Sequence, residues 1–265
     1  MVFRRAGSRP QDLGARLDGL LPLLVSPFIG SFLGVVIRRL PLGRSIALGR
    51  SACEGCGRVL PARDLVPLVS FVLLRGRCRF CRAGIARFHP GVELAAIAVA
   101  AWATLVDPGV EPLALWANCV LGWSLLALAW IDWDHLRLLD ALTLPLLALG
   151  LFATWALDPE AATDHAAAAA LAYLAFRGVA LAYRLLHGRE GLGQGDAKLL
   201  AASGAWVGLA GLPSVLLGAA LIALATTLVQ RLRRRSAADT PIPFGPYLAL
   251  ATWLVRLYGA AELWL

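Results

Sequence analysis

The chain has 265 residues, of which 59% are hydrophobic and 16% are charged, and its formal net charge is +8 at pH 7. Soluble domains are only about 45–50% apolar, so this composition excludes a soluble globular protein and indicates an integral membrane protein. The positive charge does not indicate a nucleic-acid-binding protein, because the basic residues are concentrated in particular loops.

Apolar runs long enough to cross a bilayer as helices recur along the chain. The first run lacks a small-residue cleavage site followed by a soluble domain, so we expect a retained helix rather than a removed signal peptide. The expected fold class is therefore an all-α polytopic membrane protein with about eight transmembrane helices, two of them short. The predicted spans are 17–37, 92–106, 112–131, 138–157, 165–186, 197–212, 213–230 and 246–262.

Basic residues are confined largely to alternate loops. Eleven of the 25 Lys and Arg residues lie between Arg38 and Arg87, and four more lie in 231–235, whereas three other loops contain none. By the positive-inside rule the basic loops are cytoplasmic. The N-terminal segment then lies outside although it carries four arginines, and we expect the larger basic segment to decide the orientation.

Two Cys-x-x-Cys pairs, Cys53 with Cys56 and Cys78 with Cys81, lie in the long polar stretch 38–90. Each pair can present two thiolates to one ion, and together they predict a tetrahedral four-cysteine zinc site. Four protein ligands leave no open position, so the zinc is expected to be structural. The alternatives are two disulfides or uncoordinated thiols, and a cytoplasmic location disfavours disulfides.

These features divide the chain into three predicted regions. Residues 1–37 form the N-terminal region and first helix, residues 38–90 form the cytoplasmic tetracysteine domain, and residues 91–265 form a multi-pass core. A domain of about 50 residues needs a metal to fold, because it buries too little apolar surface.

Two carboxylates stand at predicted membrane boundaries. Asp132 ends an apolar span, and Asp196 lies in the glycine-rich run 191–198. An ionisable residue there is costly and is a functional-site hypothesis by default. A pair of neighbouring carboxylates that shares one proton can supply both an acid and a base for peptide hydrolysis. The glycine-rich run lacks the features of a phosphate-binding loop.

Other polar residues near these boundaries have simpler interpretations. For Asp134 and Asp140 we favour a solvated loop position or a helix N-cap. Lys198 either steadies a carboxylate or extends towards the membrane interface. Glu93, at the start of a span, is expected to pair with an arginine of the polar insert.

Six blocks of this chain, in order, resemble those of the type IV prepilin peptidases. The resemblance covers nearly the whole chain, and the ordered set is more specific than any single motif. The blocks are 30–41, the tetracysteine region 51–81, 92–94, Asp132, the Gly-x-Gly-Asp motif 193–196, and 241–247.

The resemblance implies a membrane aspartic endopeptidase with Asp132 and Asp196 as its catalytic pair. It implies cleavage of the basic leader of prepilins or pseudopilins after a glycine, at the cytoplasmic face of the bacterial inner membrane. Family members with the tetracysteine insert usually also N-methylate the new terminal residue, with S-adenosylmethionine as methyl donor. Membrane lipids are further expected partners, and nucleic acid is not. The methyl-donor site is not assigned to residues, and neither the oligomeric state nor the choice between pilus and type II secretion substrates is decided.

Two alternatives from other classes stay open at this point. A signal-peptide-peptidase-like protease shares the Gly-x-Gly-Asp motif but lacks a tetracysteine insert after its first span. A membrane scaffold whose zinc domain docks a partner would tolerate Asp132→Asn and Asp196→Asn, whereas an aspartic protease would not.

Overall fold

The computed structural model describes residues 10–108, 110–188, 193–233 and 242–259. The regular secondary structure of these ranges is helical, as the composition predicts, with two isolated β-bridges in the cysteine-rich insert. Five ranges lie outside the described residues: 1–9, 109, 189–192, 234–241 and 260–265. They include parts of four predicted features, namely the glycine-rich run, the basic cluster 231–235, the 241–247 block and the last span. The α-helices of the described ranges are α1 Pro10–Arg39, α2 Val69–Leu73, α3 Phe88–Val106, α4 Pro112–His135, α5 Asp140–Leu157, α6 Ala162–His187, α7 Gln194–Leu232 and α8 Gly245–Tyr258.

The chain divides into two compact units. The first contains the described residues up to Gly34 together with Leu48–Cys119, and the second contains Val35–Ala47 together with the described residues from Val120 onward. The cysteine-rich insert from Leu48 onward and α3 therefore belong to the first unit, and α5 to α8 belong to the second. The three-region division at 37/38 and 90/91 stays a prediction.

Within the first unit, Glu93 of α3 links the insert to helices α1 and α3 through hydrogen bonds. Its side chain is buried, and its Oε2 atom accepts a hydrogen bond of 2.8 Å from the backbone N–H of Leu68 in the insert. The hydroxyl of Ser31 in α1 also donates to this carboxylate. A backbone amide and a hydroxyl thus take the place of the expected arginine. A Cβ on Gly30 would lie 2.5 Å from Glu93 Cα, so α1 and α3 cross closely there.

Helix α7 is central to the second unit, where it packs against α5, α6 and α8. Its first turns carry the run of small residues 201–205, all of them buried. A Cβ on Gly204 would lie 2.8 Å from the backbone carbon of Ala168, so α6 and α7 approach almost backbone to backbone. Small residues permit such approach between membrane helices. The close packing holds the first turns of α7 in one position.

Six helical segments of the described chain are long and apolar enough to cross a membrane. The difference from the predicted eight has two sources. The predicted spans 197–212 and 213–230 form the single element α7, and the predicted last span corresponds to α8, of which 14 residues are described. Helix α7 has 39 residues. A straight helix of that length would extend about 60 Å, roughly twice the thickness of the hydrocarbon layer.

A break at Gly208 interrupts α7. Gly208 has φ 69 and ψ -176 degrees. This conformation is almost restricted to glycine. The backbone N–H of Leu209 donates to Asp164 Oδ2 at 3.0 Å, and the carbonyl of Ala205 accepts from His165 Nδ1 at 3.0 Å. Two adjacent residues of α6 therefore replace the helical hydrogen bond that the break removes. The predicted boundary between two spans lay at 212/213, whereas the break lies at Gly208 and Pro213 is inside the second segment of α7.

We expect Gly208→Ala to destabilise the protein by about 1–3 kcal/mol, because the added methyl forces a strained backbone. The methyl would also lie 2.5 Å from Asp164 Oδ2. Gly218→Ala, in the same helix, is the matched control, since its Cβ would make only an ordinary 3.5 Å contact with Ala251. Thermal unfolding midpoints of the purified variants in detergent measure the difference. A midpoint for Gly208→Ala equal to that of Gly218→Ala would contradict the role of this break.

Candidate functional site

Asp132 lies in the last turn of α4, where the chain leaves the apolar segment. Leu136 follows with a positive φ, and its backbone N–H bonds the carbonyl of Asp132 at 2.8 Å, which turns the chain towards α5. The Asp132 side chain is buried, with the residue 6% exposed. Its Oδ2 atom accepts a 2.9 Å hydrogen bond from the backbone N–H of Gly245, the first residue of α8. A residue 113 positions away thus supplies the polar partner of this carboxylate.

Asp196 lies in the first turn of α7, three residues after the N-cap residue Gly193. Its carboxylate accepts a hydrogen bond from the backbone N–H of Gly193. This is one half of a capping box, in which the third helical residue satisfies an N–H that the helix leaves without an internal partner. A Cβ on Gly193 would lie 2.7 Å from Asp196 Oδ2, so a glycine lets the carboxylate fold back over the chain.

The second unit brings the two carboxylates together. They lie close enough for their charges to interact. Leu138, from the turn between α4 and α5, packs against glycines of both helix starts. A Cβ on Gly195 would lie 2.7 Å from Leu138 Cβ, and a Cβ on Gly245 would lie 3.1 Å from Leu138 Cδ2. Glycines at the starts of α7 and α8 therefore allow three distant chain segments to meet at one place.

Lys198 and Asp140 form an ion pair beside this site, with Lys198 Nζ 2.6 and 2.7 Å from the two carboxylate oxygens. Lys198 thus steadies a carboxylate, one of its two predicted roles, and Asp140 belongs to the first turn of α5. The pair joins the start of α5 to the start of α7. Neither this pairing nor the role of Gly245 was predicted, because both depend on distant partners. Asp134 is exposed, in keeping with its interpretation as a solvated residue.

The first unit holds the cysteine cluster of the insert. The Sγ atoms of Cys53, Cys56, Cys78 and Cys81 all lie within 4.8 Å of one another, an arrangement that can hold a metal ion. Cys53 Sγ and Cys81 Sγ are 3.7 Å apart. Four thiolates at about 2.3 Å from a tetrahedral zinc ion are about 3.8 Å from one another, so the cluster fits that ion.

The two halves of the cluster have the same backbone hydrogen bonds. In each half, the backbone N–H of the first cysteine donates to a carbonyl five residues later, which is that of Arg58 for Cys53 and of Ala83 for Cys78. The carbonyl of the same cysteine accepts from the N–H four residues later, which is that of Gly57 or Arg82. The residue four positions after the first cysteine, Gly57 or Arg82, has positive φ in both. The insert is therefore built from two equivalent knuckles that bring four thiol groups to one place.

An ion pair supports the second knuckle. Arg79, between Cys78 and Cys81, donates from Nε and Nη2 to the carboxylate of Asp64, with Nη2 to Oδ1 at 2.6 Å. The Arg79 hydrogen bond lowers the pKa of Asp64 below its ordinary 3.8. The pair therefore stabilises the insert above about pH 4, and this contribution is lost as the pH falls through the lowered value.

Backbone hydrogen bonds from Cys81 and Phe80 lower the pKa of Cys78 to about 7. A backbone hydrogen bond from Ala83 acts in the same direction on Cys81, but burial and hydrogen bonds with the other three cysteines raise the pKa of Cys81 to about 11. The thiols therefore do not ionise alike, and a bound metal would favour the thiolate form of all four.

Comparison with known proteins shows two consecutive family matches. Residues 24–106 match the family described as Bacterial Peptidase A24 N-terminal domain, and residues 119–228 match the Type IV leader peptidase family. The first range contains all four insert cysteines, and the second contains both Asp132 and Asp196.

Curated relatives match along most of their length. A protein named Prepilin leader peptidase/N-methyltransferase from Aeromonas hydrophila is 40% identical over 265 residues, covering 90% of each chain. Two further proteins of the same name are also similar. The protein from Pseudomonas aeruginosa is 36% identical over 91% of this chain and 90% of the relative. The protein from Burkholderia pseudomallei strain 1026b is 40% identical over 87% of this chain and 82% of the relative. No solved structure matches the chain.

We expect Asp64→Asn to weaken metal binding by about 10–100-fold, as loss of a group that orients a ligand segment commonly does. The measurement is the rate and extent of metal transfer from purified protein to a chromogenic chelator. Glu111→Gln, which removes the same charge from an exposed position of the same unit, is the control for charge alone. An Asp64→Asn protein that retains its metal as well as wild type would show that Asp64 does not position the knuckle.

Proposed function

Because the chain belongs to the type IV leader peptidase family, we propose that it cleaves prepilin-like substrates in the bacterial inner membrane, with Asp132 and Asp196 as its catalytic pair. We further propose that it N-methylates the new terminus, since its relatives carry both activities in their name. The substrates of this class are prepilins or pseudopilins with a short basic leader, cut after a glycine.

The meeting of the two carboxylates is the observation that carries the proposal. Asp132 and Asp196 are far apart in the sequence, yet their charges interact. Each carboxylate also has a backbone N–H as a hydrogen-bond partner, from Gly245 and Gly193 respectively. Polar partners of this kind compensate for the cost of ionisable groups at the boundary of an apolar layer. They also hold both side chains in defined positions, which acid–base catalysis needs.

Hydrolysis follows from a pair that retains one proton between its members. The ionised carboxylate takes a proton from water, and the water oxygen attacks the carbonyl carbon of the scissile peptide bond. The protonated carboxylate gives its proton to the carbonyl oxygen as a tetrahedral diol forms. On collapse, the carboxyl that took its proton from water gives it to the leaving nitrogen as the carbon–nitrogen bond breaks. One hydroxyl of the diol returns its proton to the other carboxylate, so the pair regains its starting state.

The distribution of charge supports a cytoplasmic site. Arginines dominate the insert between α1 and α3, and the loops on the other predicted side contain no Lys or Arg. Basic loops remain in the cytoplasm when a membrane protein inserts. With the insert in the cytoplasm, the alternation of the spans puts the end of α4 and the start of α7 on that side as well. A substrate entering from the cytoplasmic leaflet then presents its leader to the pair.

We propose zinc as the ion of the cysteine cluster. The four thiol sulfurs can reach one ion together. Four cysteine ligands in tetrahedral reach of one point are typical of structural zinc. The ion would join two knuckles that have little apolar core of their own, and its chemistry here is structural. S-adenosylmethionine is the expected methyl donor of the second activity.

We expect Asp132→Asn and Asp196→Asn each to lower the rate of prepilin cleavage by at least about 100-fold, because an amide cannot exchange the proton. The assay uses purified protein in liposomes with a prepilin substrate, and mass spectrometry of the product detects leader removal and methylation. Asp134→Asn, two residues from Asp132 and exposed, should retain cleavage. Full cleavage by either of the first two variants would refute the assigned pair.

Gly245→Ala tests whether Gly245 holds the Asp132 side chain in position, and it leaves both carboxylates in place. The added methyl would lie 2.7 Å from Asp132 Oδ2 and 3.0 Å from its Cγ, so the carboxylate must move. We expect kcat to fall by about 10–100-fold with little change in KM, since small displacements of a catalytic group have such effects. Gly178→Ala in α6, whose Cβ would meet nothing within 4 Å, is the matched control. Equal kcat values for the two variants would contradict this role of Gly245.

A further inference from the structure

The insert carries an apolar surface that the described chain leaves exposed. Val69, Val72 and Leu73 of α2 are 52%, 70% and 76% exposed. Their spacing of i, i+3 and i+4 puts them on one face of the helix. Leu65 and Val66, just before α2, are also exposed. We call these five residues the α2 surface.

The opposite side of α2 packs within the insert. Phe71 is half-buried, and a Cβ on Gly76 would lie 3.1 Å from the end of its ring. The insert therefore anchors α2 by Phe71 and turns the α2 surface outward. Grouped apolar side chains in this position indicate an interaction site.

A hydrogen bond sets the depth of α2 relative to the membrane. The backbone N–H of Leu68, the residue that precedes α2, bonds the carboxylate of Glu93 at 2.8 Å. Glu93 lies in the second turn of the apolar helix α3, which begins at Phe88. The start of α2 is thus held near the level at which α3 enters the apolar layer. Interfacial helices bury their apolar face about 5–10 Å into the boundary between headgroups and acyl chains.

The charge of the insert indicates which kind of partner can bind the α2 surface. Residues 48–87, the part of the insert within the first unit, contain eight arginines and two carboxylates, and one of the two, Asp64, is engaged by Arg79. Arg63, Arg75 and Arg77, next to the α2 surface in the sequence, are exposed. Such a surface attracts anionic headgroups and repels both a basic leader peptide and a second copy of the same insert.

We propose that the α2 surface docks on the anionic phospholipid of the membrane leaflet that the insert faces. The apolar side chains enter the acyl boundary, and Arg75 and Arg77 contact phosphate groups of the lipid. The insert then lies along the membrane rather than extending from it.

Photocrosslinking of the full chain identifies the occupant directly. Benzoylphenylalanine in place of Val72 is irradiated in vesicles of phosphatidylcholine alone or with phosphatidylglycerol added, and mass spectrometry identifies the adduct. We expect phospholipid adducts whose yield rises with phosphatidylglycerol. In the mixed vesicles, Arg75→Gln with Arg77→Gln should lower the yield at least about fivefold. Arg231→Gln with Arg233→Gln, which removes the same charge at the C-terminal end of α7, should not.

Metal content of each variant verifies that the insert is folded. Adducts to a second copy of the chain, or to added prepilin in place of lipid, would overturn the proposal. Lipid adducts in equal yield in both vesicle types and in both double variants would also overturn it, because the anionic headgroup would then have no part in docking. Cleavage activity does not enter this readout, so the result is independent of the proposed function.

Discussion

A carboxylate at the edge of an apolar layer must receive its hydrogen bonds from the protein, and this requirement organises the second unit. Asp132 obtains its partner from the backbone of Gly245, far along the chain. That bond is possible only where α8 begins beside the end of α4, and a glycine at the start of α8 leaves room for the Asp132 carboxylate, which would lie 2.7 Å from a Cβ there. The starts of α7 and α8 are thereby placed beside one turn. The proposed catalytic geometry and the helix packing are consequences of the same constraint.

Helix α7 connects that site to the rest of its unit. Its small residues allow α6 to approach closely, and its break at Gly208 is compensated by Asp164 and His165 of α6. Because the donor and the acceptor of the hydrogen bond that the break removes both gain side-chain partners, the segment that begins at Gln194 has a defined end as well as a defined start. A helix held at both ends can keep Asp196 in position.

The insert solves a different physical problem. A segment of its size is too small for a substantial apolar core. It uses a repeated backbone pattern to gather four thiolates instead. Asp64 and Arg79 fix the second knuckle from outside the thiolate cluster. Glu93 holds the segment before α2 against the membrane helices of the same unit. The arginines of the insert give its surface a positive charge.

Much of this protein follows from the sequence alone. Apolar runs of membrane-crossing length, the Cys-x-x-Cys spacing, and carboxylates next to apolar runs are local patterns, and each reports its physical cause directly. The helical fold and the gathering of Cys53 and Cys56 with Cys78 and Cys81 were predicted on that basis. Only the tertiary structure decided the long-range partners. Asp132 is bonded by Gly245, Lys198 by Asp140 and Glu93 by Leu68, and Asp164 and His165 bond the backbone at the break in α7. A particular backbone N–H or carbonyl has no signature in the sequence, because almost every residue carries both groups. Only packing determines which side chain reaches which group.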